Sequence, residues 1–155
     1  MDRLDTQATS DDESFSLLPS ILGGVVVAAL LSPFDDYFLG NLLYYWMPQA
    51  VVLGIVLMVS SRPAVLSGVA LTLALYLAVY GAWIFFFPTS DGLVWLGYWF
   101  SLPGASIGAV IGAIYVRKRH YERAVVAGAV AALSTLVGLS LNQALLCSTL
   151  MSCRI

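Results

Sequence analysis

The chain contains 155 residues, of which 60% are hydrophobic and only 10% are charged. An average soluble domain contains roughly 45–50% apolar and about 25% charged residues, so a soluble domain of this length could not cover its surface with so few charges. Much of the apolar surface must therefore face lipid, which excludes an ordinary soluble domain. The net charge is −2, and the short basic cluster abuts a predicted membrane span, so nothing indicates nucleic-acid binding.

The chain begins with a polar, acidic segment and continues with an uncharged run. Residues 1–14 have the low hydrophobicity of a disordered chain, and they are acidic where a secretory signal would be basic. Residues 15–34 carry no charge and are long enough to cross a bilayer as a helix, at about 1.5 Å per residue. We therefore predict a disordered acidic tail followed by a first transmembrane helix.

Four further apolar runs follow, separated by short connections. They comprise residues 38–60, 64–87, 93–116 and 124–146, and a short tail, 147–155, ends the chain. Each run is long enough to span a bilayer. Pro48 is expected to kink the second helix, whereas Pro103 either kinks the fourth helix or marks its start after a short surface helix. The predicted fold is an all-α membrane protein, a bundle of about five transmembrane helices.

Basic residues are concentrated on one predicted side of the membrane. The main cluster, between the fourth and fifth spans, consists of Arg117, Lys118, Arg119 and Arg123, and Arg62 lies between the second and third spans. The positive-inside rule makes both connections cytoplasmic, which places the N-terminus in the cytoplasm and the C-terminus in the periplasm. We predict a multi-pass protein of the cell inner membrane, with a re-entrant first hairpin as the alternative topology.

Small residues recur at every fourth position on the predicted helices and indicate packing faces. The candidate helix-packing residues are Gly104, Gly108 and Gly112 of the fourth span, Ala70, Ala74, Ala78 and Ala82 of the third, and Gly128 and Gly138 of the fifth. Small side chains let two backbones approach closely in lipid. The three glycines of the fourth span, Gly104, Gly108 and Gly112, form a glycine row. This row either packs within one bundle or forms a glycine-zipper pore from several copies. We prefer the single bundle, because such faces are common in ordinary bundles.

No Asp, Glu, Lys, Arg or His residue lies inside any predicted span. Coupled transport and acid–base catalysis within a membrane usually depend on a buried ionisable group. The chain also lacks paired carboxylates, a Ser/His/Asp arrangement and a cluster of cysteine and histidine residues. We therefore predict that the protein is not an enzyme, is not a coupled transporter and holds no cofactor or metal.

The two cysteines, Cys147 and Cys153, lie near the C-terminus, on the periplasmic side of the predicted topology. An oxidising compartment would allow them to form a disulfide that closes a small loop. Two free thiols are the alternative, since Cys147 could still lie within the fifth span.

Aromatic and amide side chains are concentrated on the side opposite the basic cluster. The candidate partner surface comprises Trp46, Gln49, Trp83, Trp95, Trp99 and Asn142. Interfacial anchoring would place tryptophan at both membrane faces, so this asymmetry exceeds what anchoring requires. The polar residues of this layer, which also include Asn41 and Gln143, either contact another membrane molecule or form an internal hydrogen-bonded knot between the second and fifth spans.

In size, span number, absence of a catalytic site and aromatic outer layer, the chain resembles the small polytopic immunity proteins that bacteria keep against pore-forming effectors of contact-dependent or type VI secretion. The resemblance covers the whole chain in overall build, without a diagnostic motif, and therefore transfers no site residue. It implies a protein that binds a cognate toxin among membrane lipids, as in a toxin–antitoxin pair, and acts in interbacterial competition. A non-catalytic accessory or assembly subunit of a larger membrane complex and a holin-like pore are the alternatives.

Overall fold

The computed structural model describes residues 2–86, 94–119, 121 and 123–149, and this part of the chain contains helices and no strand. The five helices are α1 (Asp2–Leu31), α2 (Phe38–Val59), α3 (Pro63–Phe86), α4 (Val94–Arg119) and α5 (Ala124–Thr149). The predicted all-α fold is therefore confirmed, and the bounds of α2 to α5 differ from the predicted spans by at most three residues. The last residue of the predicted third span, the first of the fourth and most of the C-terminal tail lie outside the described residues.

Four of these helices are long and apolar enough to cross a membrane. Their apolar stretches are Phe38–Val59, Pro63–Phe86, Trp95–Arg119 and Ala124–Ser148. Helix α1 contributes a shorter apolar part, Leu17–Leu31, below the roughly 17–25 residues of a typical spanning helix. Length and composition thus support four spans directly, and the crossing of α1 stays a prediction.

Helix α1 begins well before the predicted first span. Its backbone is helical from Asp2, so the structure corrects the prediction of a disordered tail at residues 1–14. Between Asp2 and Leu18 the sequence contains neither proline nor glycine, and the helix dipole favours acidic residues near a helix N-terminus. These local preferences favour a continuous helix in spite of the low hydrophobicity.

The two prolines that the sequence analysis singles out both lie inside helices. Pro48 is buried within α2, and Pro103 lies within α4, which is continuous from Val94 to Arg119. The interpretation in which Pro103 starts the fourth helix is therefore wrong. A proline lacks the backbone N–H that would reach the carbonyl four residues earlier, so each helix is missing one backbone hydrogen bond at this position.

The helices form a ring in the order α1, α3, α5, α4, α2, and α3 also contacts α2 and α4. Helix α3 is therefore the centre of the bundle. Four of its side chains, Val65, Val69, Leu73 and Leu77, are buried almost completely. They follow one another at intervals of four residues and together cover an arc of about 120° of the helix surface, as suits a helix that has neighbours on several sides. The sides of the bundle that face outward carry exposed apolar side chains such as Met58 and Val125.

The bundle has a basic end and an aromatic end. At the basic end α2 and α4 finish and α3 and α5 begin. The two basic connections lie side by side there, because the Arg62 guanidinium donates a hydrogen bond to the carbonyl oxygen of Tyr121 at 2.5 Å. The predicted topology requires both connections on one side of the membrane, and this contact satisfies that requirement.

The glycine row of α4 packs against α5 of the same chain. A methyl group added at Gly108 would overlap the carbonyl oxygen of Ser134 and approach the Cα of Gly138 at 3.1 Å. A methyl group at Gly104 would overlap Asn142, and one at Gly112 would overlap the Ser134 hydroxyl. The two backbones are thus in direct contact, and this face of α4 is occupied within the monomer.

Helix α3 packs against α5 through small residues that do not belong to its alanine row, Ala70, Ala74, Ala78 and Ala82. A methyl group at Gly68 would overlap the carbonyl oxygen of Gly128, and one at Gly128 would lie 3.0 Å from the carbonyl oxygen of Ala64. The Thr72 hydroxyl donates a hydrogen bond of 2.9 Å to the carbonyl oxygen of Gly68 in its own helix, and it lies 3.5 Å from the carbonyl oxygen of Ala132 on α5. The residues that bring α3 and α5 together are therefore Ala64, Gly68 and Thr72.

The alanine row of α3 faces more than one environment. Ala70 and Ala74 are buried, and Ala74 lies 3.8 Å from the position of a methyl group on Gly24 of α1, whereas Ala82 is exposed. Each step of four residues turns about 40° beyond one full helical turn. Between Ala70 and Ala82 the row therefore rotates by about 120°, too far to remain in one interface.

Candidate functional site

Among the described residues, eight aromatic side chains form a continuous cluster at the aromatic end. They come from α2, α3 and α4 and comprise Tyr44, Tyr45, Tyr76, Tyr80, Trp83, Trp95, Tyr98 and Trp99. Neighbouring ring centroids lie between 4.5 and 6.0 Å apart. Pairs at this distance contribute about 0.5–1.5 kcal/mol beyond their burial, so the cluster ties the three helices together.

Tyr98 lies at the centre of this cluster and is completely buried. Its hydroxyl donates a hydrogen bond of 3.1 Å to the carbonyl oxygen of Tyr45 and accepts one of 3.3 Å from the amide nitrogen of Gln49. Gln49 is only 2% exposed. The structure therefore removes Gln49 from the candidate partner surface, because polar groups at membrane depth must find partners inside the protein.

Asn142 is also engaged internally. Its side-chain amide donates a hydrogen bond of 2.5 Å to the carbonyl oxygen of Phe100. The predicted knot between the second and fifth spans is thus replaced by two separate links, one from α2 to α4 at Gln49 and one from α5 to α4 at Asn142. Helix α4 is the common partner because it lies between α2 and α5 in the ring.

The four tryptophans divide into two groups. Trp46 and Trp95 are partly buried against the core. Trp83 and Trp99 are 47% and 37% exposed. Of the six residues predicted to form a partner surface, the structure leaves only these last two substantially exposed.

Tyr98 is a core residue that was not predicted from the sequence, although its spacing carries a signal. Buried positions of α4 follow one another at Tyr98, Leu102, Ala105, Ala109 and Ala113. Spacings of three and four residues mark the buried stripe of a helix, and Tyr98 is the first member of that stripe. Tyr98 lies between Trp95 and Trp99 in the sequence. Such an aromatic run is typical of a membrane interface, so the sequence did not indicate a core position there.

A cavity of about 300 Å³ lies between α3 and α5, next to the aromatic cluster. We call it the α3–α5 cavity, and it is lined by Tyr76, Leu136, Leu139, Ser140, Gln143, Ala144 and Cys147. The Tyr76 hydroxyl and the Gln143 Oε1 atom are buried and have no hydrogen-bond partner in the described part of the chain. An unpaired buried polar atom costs about 1–3 kcal/mol, so both atoms would gain from a partner that enters the cavity.

Cys147 joins the same cavity to the C-terminal segment. Its sulfur is disulfide-bonded, and the predicted partner, Cys153, lies outside the described residues. A disulfide restricts the chain that it closes, so the end of α5 beside the α3–α5 cavity is covalently constrained.

An apolar groove of about 310 Å³ separates part of α2 from α4. Its walls include both prolines, Pro48 and Pro103, and the side chain of Trp99. The groove carries almost no polar surface, so it offers hydrocarbon a place to pack but no means of selecting a ligand. Among the described residues, no group of three or more His, Cys, Asp or Glu side chains could hold a metal ion.

Apolar helices of spanning length, exposed apolar sides and a hydrogen-bonded polar interior define a multi-pass helical membrane protein. Comparison with known proteins finds no family model, curated protein or solved structure that this chain matches.

Proposed function

We propose that this chain is a non-catalytic binding protein of the cell inner membrane, an immunity protein that neutralises a membrane-targeting toxin. The α3–α5 cavity carries the proposal. Two buried polar atoms, Tyr76 Oη and Gln143 Oε1, lie there beside an aromatic cluster, without a hydrogen-bond partner in the described part of the chain. Both atoms would gain a hydrogen bond from a polar group on another membrane-embedded molecule that enters the cavity.

The chemistry of the two atoms describes the toxin segment that would fit. An amide oxygen only accepts hydrogen bonds, whereas a tyrosine hydroxyl can donate or accept. The complement is therefore an apolar helix that carries one donor side chain, such as serine, threonine, asparagine or glutamine. Trp83, which is 47% exposed and belongs to the adjoining cluster, offers an aromatic contact at the edge of such an interface.

The orientation of the bundle supports interception of a toxin. The positive-inside rule assigns the basic end to the cytoplasm, which assigns the aromatic end to the periplasmic leaflet. A toxin that arrives from the periplasm meets this leaflet first. The α3–α5 cavity would then lie on its path into the membrane.

Reporter fusions test this topology. We expect a reporter placed after Ser60 to be cytoplasmic and one at the C-terminus to be periplasmic, because basic residues are retained on the cytoplasmic side. A reporter at the N-terminus then determines whether α1 crosses, since a crossing α1 places that terminus in the cytoplasm. A cytoplasmic C-terminal reporter contradicts the topology.

Gln143→Leu separates binding from folding. Removing an unpaired buried polar atom should leave the free energy of unfolding unchanged or raise it by about 1 kcal/mol. The same change removes the proposed acceptor, so we expect the variant to lose protection of the producing cell. Stability is measured by thermal unfolding in detergent, and protection by competition between a deletion strain that carries the variant and the parent strain.

Ser148→Leu provides the matched control, because this serine lies on α5, is exposed and does not line the cavity. It should protect as well as the native protein. Full protection by Gln143→Leu would show that the cavity does not bind the toxin. A deletion strain that competes normally with its parent would exclude the immunity function altogether.

The same cavity also supports the second candidate, an accessory subunit of a larger membrane complex. Such a subunit would co-purify with a stable assembly in the absence of any toxin, and its deletion would not affect competition with siblings. A holin-like pore is less well supported, because the glycine row is already packed against Ser134 and Gly138 of the same chain.

A further inference from the structure

We propose that the basic end contains a binding site for the phosphate of an anionic phospholipid. A cavity of about 440 Å³ lies between the α2–α3 connection and the end of α4, and it is lined by Val59, Ser60, Ser61, Arg62, Val116 and Arg117. We call it the basic cavity. It lies at the opposite end of the bundle from the α3–α5 cavity, and the proposal does not depend on the proposed function.

The basic cavity combines the side chains that recognise phosphate. Two of its lining residues, Arg62 and Arg117, carry guanidinium groups, and Ser60 and Ser61 carry hydroxyls. Among the residues that the structure describes, no acidic side chain lines it. Guanidinium groups bind phosphate oxygens with two parallel hydrogen bonds, and serine hydroxyls add single donors. The lining is therefore complementary to an anion that has several acceptor oxygens.

Contacts with the backbone hold the two guanidinium groups in position. Arg62 donates to the carbonyl oxygen of Tyr121 at 2.5 Å, and Arg117 reaches the carbonyl oxygen of Val59 at 3.5 Å. Arg62 is half-buried. Positioning the cations before the ligand arrives reduces the side-chain entropy that binding would otherwise lose.

The depth of the cavity favours a lipid over free phosphate. Val59 is the last residue of α2, and Arg117 lies in the last turn of α4, so the cavity is at the boundary of two apolar spans. Met58, beside it in sequence, is 90% exposed and offers an apolar surface to an acyl chain. Nearby basic residues strengthen the attraction of an anionic headgroup.

The test uses the purified full-length protein in detergent, with thermal unfolding followed by tryptophan fluorescence. Phosphatidylglycerol, phosphatidylcholine and inorganic phosphate are titrated separately. We expect phosphatidylglycerol to raise the unfolding temperature and the other two to have little effect. Combining Arg62→Gln with Arg117→Gln should weaken the apparent affinity for phosphatidylglycerol roughly tenfold, because the paired donors are lost.

The matched control combines Lys118→Gln with Arg123→Gln, which removes the same charge from residues that do not line the cavity. It should weaken the affinity clearly less than the loss of both arginines does, because it changes only the general surface potential and leaves the paired donors in place. Because the Arg62 change could also loosen the contact with Tyr121, Ser61→Phe serves as a second variant. It keeps both arginines and narrows the cavity, and it should also weaken binding without altering unfolding in the absence of lipid.

Three results would overturn the proposal. Equal loss in the control pair would show that only the surface potential acts. Equal stabilisation by inorganic phosphate or by phosphatidylcholine would show that the site does not select an anionic lipid. Native-like affinity in Ser61→Phe would show that the lipid does not enter the basic cavity.

Discussion

Replacing Gly108 by leucine is expected to destabilise the monomer by about 3 kcal/mol or more, at the upper end of overpacking effects. The first atom of the new side chain would overlap the carbonyl oxygen of Ser134. Backbone atoms cannot move aside as a flexible side chain can, so α4 and α5 would have to separate along their shared face. Reversible unfolding in a denaturing detergent, followed by circular dichroism, measures this loss.

Gly54→Leu is the matched control, because a methyl group at Gly54 of α2 meets no atom within 4 Å. Leucine is a better helix former than glycine, so this change should be neutral or stabilising by up to about 1 kcal/mol. Cross-linking of the same variants in membranes supplies the second measurement. If Gly108→Leu dissolved an oligomer while the monomer kept its native stability, the glycine row would be an interface between copies.

Replacing Tyr98 by alanine is expected to cost about 3–5 kcal/mol, as for other fully buried aromatic side chains. The ring lies 5.9 Å from that of Tyr76 and 6.0 Å from that of Tyr80. Its loss would open a cavity among three helices and leave the Gln49 amide without its partner. Thermal unfolding of the purified protein in detergent measures the effect.

Two further variants divide this cost into packing and hydrogen bonding. Tyr98→Phe keeps the ring and removes the hydroxyl, so it should cost about 1–2 kcal/mol through the unpaired groups it leaves. Tyr37→Ala removes an aromatic ring that is 76% exposed and should have little effect. Equal losses in Tyr98→Ala and Tyr37→Ala would show that the aromatic cluster does not stabilise the bundle.

These two predictions share one helix. The glycine row joins α4 to α5, and Tyr98 joins α4 to α2 and α3. The proposed binding atoms belong to Tyr76 of α3 and Gln143 of α5. The Tyr76 ring is part of the aromatic cluster and stacks on Tyr98, whereas Gln143 takes no part in the cluster. We therefore expect changes in α4 to affect stability, and a change at Gln143 to affect binding.

Composition and local patterns were sufficient to predict the class of fold and most helix bounds. Prolines, glycines and charges interrupt the apolar runs, and each helix is held by hydrogen bonds between residues close in the chain. The glycine row was also predicted to be a packing face, because small residues allow close approach whichever helix is the partner, and in the structure it lies against α5. The acidic N-terminal segment was the exception to this agreement. Its helix preference favours a helix, whereas its low hydrophobicity is typical of a disordered chain.

The side chains that contact each other between different helices could not be predicted from composition and local patterns. Gln49 meets Tyr98, and Asn142 meets Phe100, across separations of more than 40 residues. Such pairs depend on which helices are neighbours and on how far each is rotated, and a rotation of about 100° separates consecutive residues. The same dependence buried Gln49 and left Trp46 and Trp95 partly buried. It also left Tyr76 Oη and Gln143 Oε1 beside a cavity, without a hydrogen-bond partner among the described residues. Local chemistry therefore specified the helices, and their mutual packing selected the side chains available for binding.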